Sequence, residues 1–299
     1  MTDQTDQTDQ TPTAADLRLH GDAAKAAQWR TRAKDTVKRA LASGTPVSPT
    51  PPYQVVAVLG QSNAHGAGRL TDPSAAPVTD PRVHQWPGCG RRRGRILLAE
   101  DPLLHGTPGA GVGFGTTFGR LLAEDIDGSV LLVPAARGDT SFHPKNGFSW
   151  DPDQRSVRVN LFDRAVAQIA GALRAAGPES ELVAMLWHQG ESDVPLTAPE
   201  AYRDRLDTLI RRLRDRFGTV PFVLGQMVPE EITTGHDRYP GIDAVHRDTP
   251  SRHAMCVFVE GPEGMHNPGE AIHYNAAGAQ VLGERMFRAY ATVRPDPAG

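Results

Sequence analysis

Apolar residues gather along this chain in five short unbroken runs: Val55–Leu59, Val130–Val133, Leu182–Trp187, Pro221–Gly225 and Cys256–Val259. Each is too short for a helix and rich in branched or aromatic residues, which predicts strands buried on both faces. Between them the apolar spacing changes to threes and fours, predicting helices over about 115–125, 157–176, 199–217 and 275–291. Strand–helix alternation of this kind predicts an α/β fold: a three-layer α/β/α sandwich around a central, mostly parallel five-stranded sheet. In open parallel sheets ligands sit at the carboxyl ends of strands. The residues just after each run are therefore where chemistry is to be sought.

The chain before the first run divides in three. Residues 1–13 are a polar, repetitive tail too poor in apolar side chains to order itself. Within 14–43, Trp29, Ala33, Val37, Ala40 and Leu41 fall at helical spacing after a possible N-cap at Asp22. This predicts a helix at 22–41, packed on the main domain or on a partner chain, and so a possible contact between two copies. Its apolar face is mostly alanine, which argues against a membrane-surface helix. The proline-rich stretch 44–52 reads as a linker, leaving 53–295 as the main domain.

Composition narrows the function classes. A net charge of −3 over 299 residues gives no support for broad nucleic-acid binding. Arg91-Arg92-Arg93-Gly94-Arg95 is the one basic cluster and reads as a solvated loop, able to meet an acidic substrate. No run approaches the ~18 apolar residues of a membrane span, and the polar N-terminus lacks the features of a secretory signal. Two cysteines, Cys89 and Cys256, suit a reducing compartment better than a disulfide scaffold. The expectation is a cytoplasmic protein.

Four segments hold chemistry-bearing residues. Gly60-Gln61-Ser62-Asn63 follows the first run, where Ser62 is either a helix N-cap or a nucleophile entering a helix turn. Ala64 breaks the Gly-x-Ser-x-Gly elbow, against an ordinary α/β-hydrolase. Gly138, after the second run, is a turn residue or a backbone donor close to a ligand. After the third run, Gln189, Glu191 and Asp193 supply an amide and two carboxylates, unless Asp193 or Ser192 merely caps the next helix. Near the C-terminus Glu270 precedes His273 by three residues, a spacing at which the carboxylate can orient the imidazole and stabilise its cation. The spacing of His266, Glu270 and His273 fits no recognised metal pattern. Gly109–Gly115 fails the dinucleotide fingerprint and reads as a flexible loop leading into a helix from Thr116.

Together these segments resemble the SGNH hydrolases, in particular the sialate O-acetylesterase-like group that includes carbohydrate esterase family six. Gly60–Asn63 matches the first block and Trp187–Asp193 the third, Trp-His-Gln-Gly-Glu-x-Asp, in full. The second block, usually Gly-Gly-Thr-Ser, is Gly138-Asp139-Thr140-Ser141, and Glu270 stands where the last block has aspartate. The resemblance spans residues 53–291. It implies Ser62 as nucleophile, His273 as base and Glu270 as its orienting acid. It implies an oxyanion hole from Ser62, Gly138 and Gln189, supported by Gln61, Asn63 and Glu191. The implied reaction is hydrolysis of acetyl or short acyl esters on a carbohydrate or other hydroxylated acceptor, with no cofactor or metal. Acyl transfer, thioester hydrolysis, or a vestigial carbohydrate-binding site are the alternatives. Asp139 would set a charge beside the oxyanion unless it turns away. Trp86, Phe142, Phe148 and Trp150 are either a sugar-stacking wall or packing residues.

Overall fold

A computed structural model describes residues 33–295. The strands, in chain order, are β1 (Tyr53–Gly60), β2 (Val83–Gln85), β3 (Leu97–Leu98), β4 (Ser129–Pro134), β5 (Phe148–Ser149), β6 (Val159–Asn160), β7 (Glu181–His188), β8 (Phe222–Gly225), β9 (Cys256–Val259), β10 (His266–Asn267) and β11 (Glu270–Tyr274). Seven form the central sheet in the order β3-β2-β4-β1-β7-β8-β9. All neighbours are parallel except β2 and β3. The five expected strands are all in the sheet. The count is nevertheless seven, because β2 and β3 extend one edge; two- and three-residue strands carry no apolar run to announce them.

Alternation along the central strands divides the core between the two faces. Val55, Ala57 and Leu59 of β1, with Met185 and Trp187 of β7, pack against the helices Leu161–Ala176 and Pro199–Phe217. Val56, Val58, Ala184 and Leu186 face the helices Phe114–Glu124 and Ala276–Val293. Each large aliphatic side chain so buried contributes roughly 1.5–3 kcal/mol. The three layers follow from this two-sided burial.

The helix Tyr239–Arg252 had no counterpart in the sequence reading, because Pro240, Gly241 and Pro250 interrupt its pattern. The Gly109–Gly115 stretch is not a flexible loop. Ala110 and Gly111 donate to the Gly66 carbonyl at 2.8 and 2.9 Å, and Val112 and Gly68 exchange bonds at 2.9 and 3.0 Å. A Cβ on Gly111 would lie 2.2 Å from the Gly68 carbonyl oxygen, so backbone packs on backbone where only glycine fits. The helix that follows begins at Phe114, two residues earlier than expected.

Residues 33–41 are helical, while the rest of the expected 22–41 helix and the 1–13 tail lie outside the described residues. Asp35 on this helix pairs with the buried Arg137 at 2.9 Å. The proline-rich stretch lies along the sheet edge: Thr45 accepts a bond from the Leu98 N–H at 2.8 Å, and Pro46 bridges to Leu97. Both cysteines are unpaired and buried. Among the described residues no helix is long and apolar enough to cross a membrane.

Candidate active site

The Ser62 turn is fixed by the sheet beneath it. Gly60 ends β1 at φ 118°, and a Cβ there would lie 2.0 Å from the His188 carbonyl oxygen, so no other residue fits. Gln61 then donates its N–H to that carbonyl at 2.8 Å, and Arg137 donates to the Gly60 carbonyl at 2.9 Å. The first segment is thus held between the ends of β7 and β4. Ser62 is half-buried and opens a four-residue helix, Ser62–His65. As its first residue it has no intrahelical acceptor for its N–H.

Gly138 lies beside it. A Cβ on Gly138 would come within 3.8 Å of both Cα and Cβ of Ser62. The Gly138 N–H makes no backbone bond among the described residues. Two unspent N–H groups therefore belong to residues in van der Waals proximity. Asp139, at φ 56°, turns its carboxylate out to solvent. There Lys145 and Asn146 hold it at 2.5 and 3.1 Å, so its charge is neutralised away from Ser62.

Asn63 joins the first, third and last segments. Its Nδ2 donates to Glu191 Oε1 at 2.9 Å and to the Ile272 carbonyl at 3.2 Å, while its Oδ1 accepts from the Tyr274 N–H at 3.0 Å. Residues on either side of His273 are thereby tied to the neighbour of Ser62. Glu270 Oε1 bonds His273 Nδ1, and Arg69 reaches Glu270 Oε2 at 2.6 Å. The extra methylene of glutamate is accommodated by this arrangement, in which strand β11 carries both partners.

Gln189 is fully buried. Its Nε2 donates to Asp193 Oδ2 at 2.7 Å and lies 3.3 Å from both the Thr140 carbonyl and Gln61 Oε1. With two hydrogens shared among three protein acceptors, the amide has none to spare for a ligand as it stands. It braces the second and third segments instead. Asp193 does not cap the next helix, whose N-cap is Ala198 without a side-chain bond. Its carboxylate accepts from Phe142 N–H, His143 N–H and Thr197 Oγ1 at 2.8, 3.3 and 2.8 Å, pinning the second segment to the third. Phe142, Phe148 and Trp150 are buried in the core and form no wall to the site; only Trp86 is partly exposed.

Sequence reading missed Arg69 and the buried His65, which carry no local pattern, and it gave no role to His188 although the third block contains it. His188 Nε2 donates to the Gln226 carbonyl at 2.7 Å, leaving Nδ1 unprotonated with Glu191 Oε1 at 3.5 Å, and burial lowers its pKa to about 4. His65, whose Nε2 reaches the Thr107 carbonyl at 2.9 Å, is likewise lowered to about 4 by burial. Both stay neutral near pH 7, adding no positive charge behind Ser62.

Glu191 has the opposite response. Burial pushes its carboxyl up to about 7, against the pull of its own N–H and of Asn63. Between about 4.5 and 7 the folded chain therefore holds a proton that the unfolded chain has lost, so this group's contribution to stability falls as pH rises through that window. Glu191→Gln removes that dependence. Relative to the parent it is expected to gain on the order of 3 kcal/mol between pH 4.5 and pH 8. Urea unfolding at both pH values checks this, and parallel stability curves for the two proteins would refute it.

The three-layer sandwich around a central, mostly parallel sheet has the fold of the SGNH-type esterases. Residues 52–292 match the family described as carbohydrate esterase, sialic acid-specific acetylesterase, and the chain belongs to that family. It is a carboxylic ester hydrolase of the carbohydrate-esterase kind. A probable carbohydrate esterase of Arabidopsis thaliana is 29% identical over 265 residues, covering 81% of this chain and 92% of that protein. The crystal structure of NanS superposes with a TM-score of 0.67 at 17% identity, covering 82% of this chain and 98% of that one. A carbohydrate acetylesterase from Xanthomonas citri gives 0.58 at 16% identity over 80% of this chain, which spans 56% of that protein.

Proposed function

We propose that the protein removes acetyl or other short acyl groups from a hydroxylated carbohydrate, through an acyl-enzyme on Ser62. The observation that supports this reading is Asn63, whose bonds to the Ile272 carbonyl and the Tyr274 N–H tie the backbone on either side of His273 to the neighbour of Ser62. Glu270 accepts a hydrogen bond from the Nδ1–H of His273, which leaves Nε2 as the base. His273 removes the Ser62 hydroxyl proton as Oγ bonds the ester carbonyl carbon. The resulting oxyanion lies against the N–H groups of Ser62 and Gly138, donors already in place before charge develops. The carbon–oxygen bond to the sugar then breaks, and His273 returns its proton to the leaving alkoxide. Water repeats the sequence on the acyl-enzyme and releases the acid. Gln189 serves as a brace that fixes Gln61 and the second segment.

Neither departure from the family pattern weakens this reading, since Asp139 is neutralised in solvent and Glu270 is bonded to the imidazole. The two unpaired thiols fit a cytoplasmic setting. A fluorophosphonate probe is expected to form one adduct, on Ser62, with parallel loss of acetyl-ester hydrolysis. Peptide mass mapping checks this, and an inactivated enzyme with an unmodified Ser62 would overturn the reading.

A further inference from the structure

The arginine run after β2 does not simply face water. Arg91 and Arg93 form one rim of a cleft of about 940 Å³ that does not include Ser62. Among the described residues six arginines line it (Arg39, Arg91, Arg93, Arg158, Arg164 and Arg174) and no aspartate or glutamate does. They converge from separate parts of the chain: Arg39 from the N-terminal helix, Arg158 from the approach to β6, and Arg164 and Arg174 from the helix Leu161–Ala176. At a rise of 1.5 Å per residue, the last two stand about 15 Å apart along the helix axis.

Among the described residues five of these charges, Arg158 excepted, have little internal compensation. Arg39, Arg91 and Arg164 each bond, among the described residues, only a backbone carbonyl, of Gly106, Ala40 and Gly88, at 2.7, 3.2 and 3.3 Å. Arg93 and Arg174 have no ion pair among the described residues. Burial, then the fields of Arg39, Arg137 and Arg93, bring Arg164 down to about 10. A chain that assembles like charges in a concave, partly desolvated place bears their repulsion until an anion arrives. Trp86 forms part of the wall, packed on the helix where a Cβ at Gly171 would lie 3.3 Å from the indole nitrogen.

We infer that this cleft binds a small molecule bearing two or more phosphate groups. Planar guanidinium forks fit phosphate oxygens in pairs. Their spread along the cleft suits several anionic groups rather than one carboxylate. The volume is that of a small-molecule site. A local concave cleft on a chain of net charge −3, rather than a long basic stripe, disfavours a nucleic-acid strand. The inference does not depend on the chemistry assigned to Ser62.

Calorimetry on the full chain with inorganic pyrophosphate tests it. Saturable 1:1 binding is expected, with orthophosphate at least ~10-fold weaker and a neutral disaccharide silent. The exposed pair Arg93→Glu with Arg174→Glu is expected to lose at least ~10-fold in pyrophosphate affinity while its melting temperature and its hydrolysis of an activated acetate ester are unchanged. Adenosine diphosphate, run alongside, separates the sources: tighter binding than pyrophosphate assigns an aromatic ring to the Trp86 wall, and equal binding assigns recognition to the phosphates alone. Absence of saturable binding, or undiminished affinity in the charge-reversed pair, would overturn the inference.

Discussion

Ser62→Ala is expected to lower kcat on an activated acetate ester by ~10⁴-fold or more, leaving only what bound donors and proximity supply. The size of the loss follows from the covalent route: without Oγ there is no acyl-enzyme, and His273 has no proton to remove. Stability is expected to stay within about 0.5 kcal/mol, because no side-chain bond of Ser62 holds the turn. That turn is held by the Gln61 and Arg137 backbone bonds and by the Gly60–His188 contact. Steady-state kinetics with thermal unfolding checks both halves. Full activity in the alanine variant would remove Ser62 from the reaction, and with it the acyl-enzyme.

Asn63→Ala carries the second large effect, and it strikes activity and stability together. The change strips Glu191 of its donor and leaves the buried Tyr274 N–H without an acceptor. At about 1–3 kcal/mol for each buried polar group left unsatisfied, the expected loss of stability is roughly 2–4 kcal/mol. It also frees the strand that bears His273, and a displacement of about 1 Å at a reacting group costs on the order of 100-fold in rate. Denaturant unfolding and kcat/KM measured well below the unfolding transition separate the two. Destabilisation with an unchanged kcat would mean that Asn63 holds the fold but does not position the base.

Much of this architecture is legible in the residues. The run Val55–Leu59 announces the central strand, and Gly60–Asn63 and Trp187–Asp193 mark the two loops that meet above it. What is not legible depends on three-dimensional context that adjacent residues do not encode. The helix Tyr239–Arg252 is masked by its own prolines, although Ile242 and Val245 bury it well enough to form. Phe142, Phe148 and Trp150 look the same in a sequence whether they stack on a sugar or fill a core. The direction of the Asp139 carboxylate is set by Lys145, and an arginine run reads alike in open solvent or at a cleft rim. Glu191 is visible as a carboxylate, but its proton near neutrality comes from burial that only the folded chain provides.

The adjacency of β4, β1 and β7 has a consequence for how such an enzyme can diversify. Ser62 and Gly138 follow the ends of the neighbouring strands β1 and β4, and the segment that braces them follows β7. Their mutual placement is thus inherited from hydrogen-bonded register, whereas His273 and Glu270 come from β11, outside that sheet. The arginine cleft, by contrast, is assembled from the margin: a helix preceding the sheet, the segment between β2 and the edge strand β3, and the flank of one covering helix. Mutation can therefore rewrite what is held at the periphery without disturbing how a bond is broken at the centre, and the two properties are free to evolve at different rates.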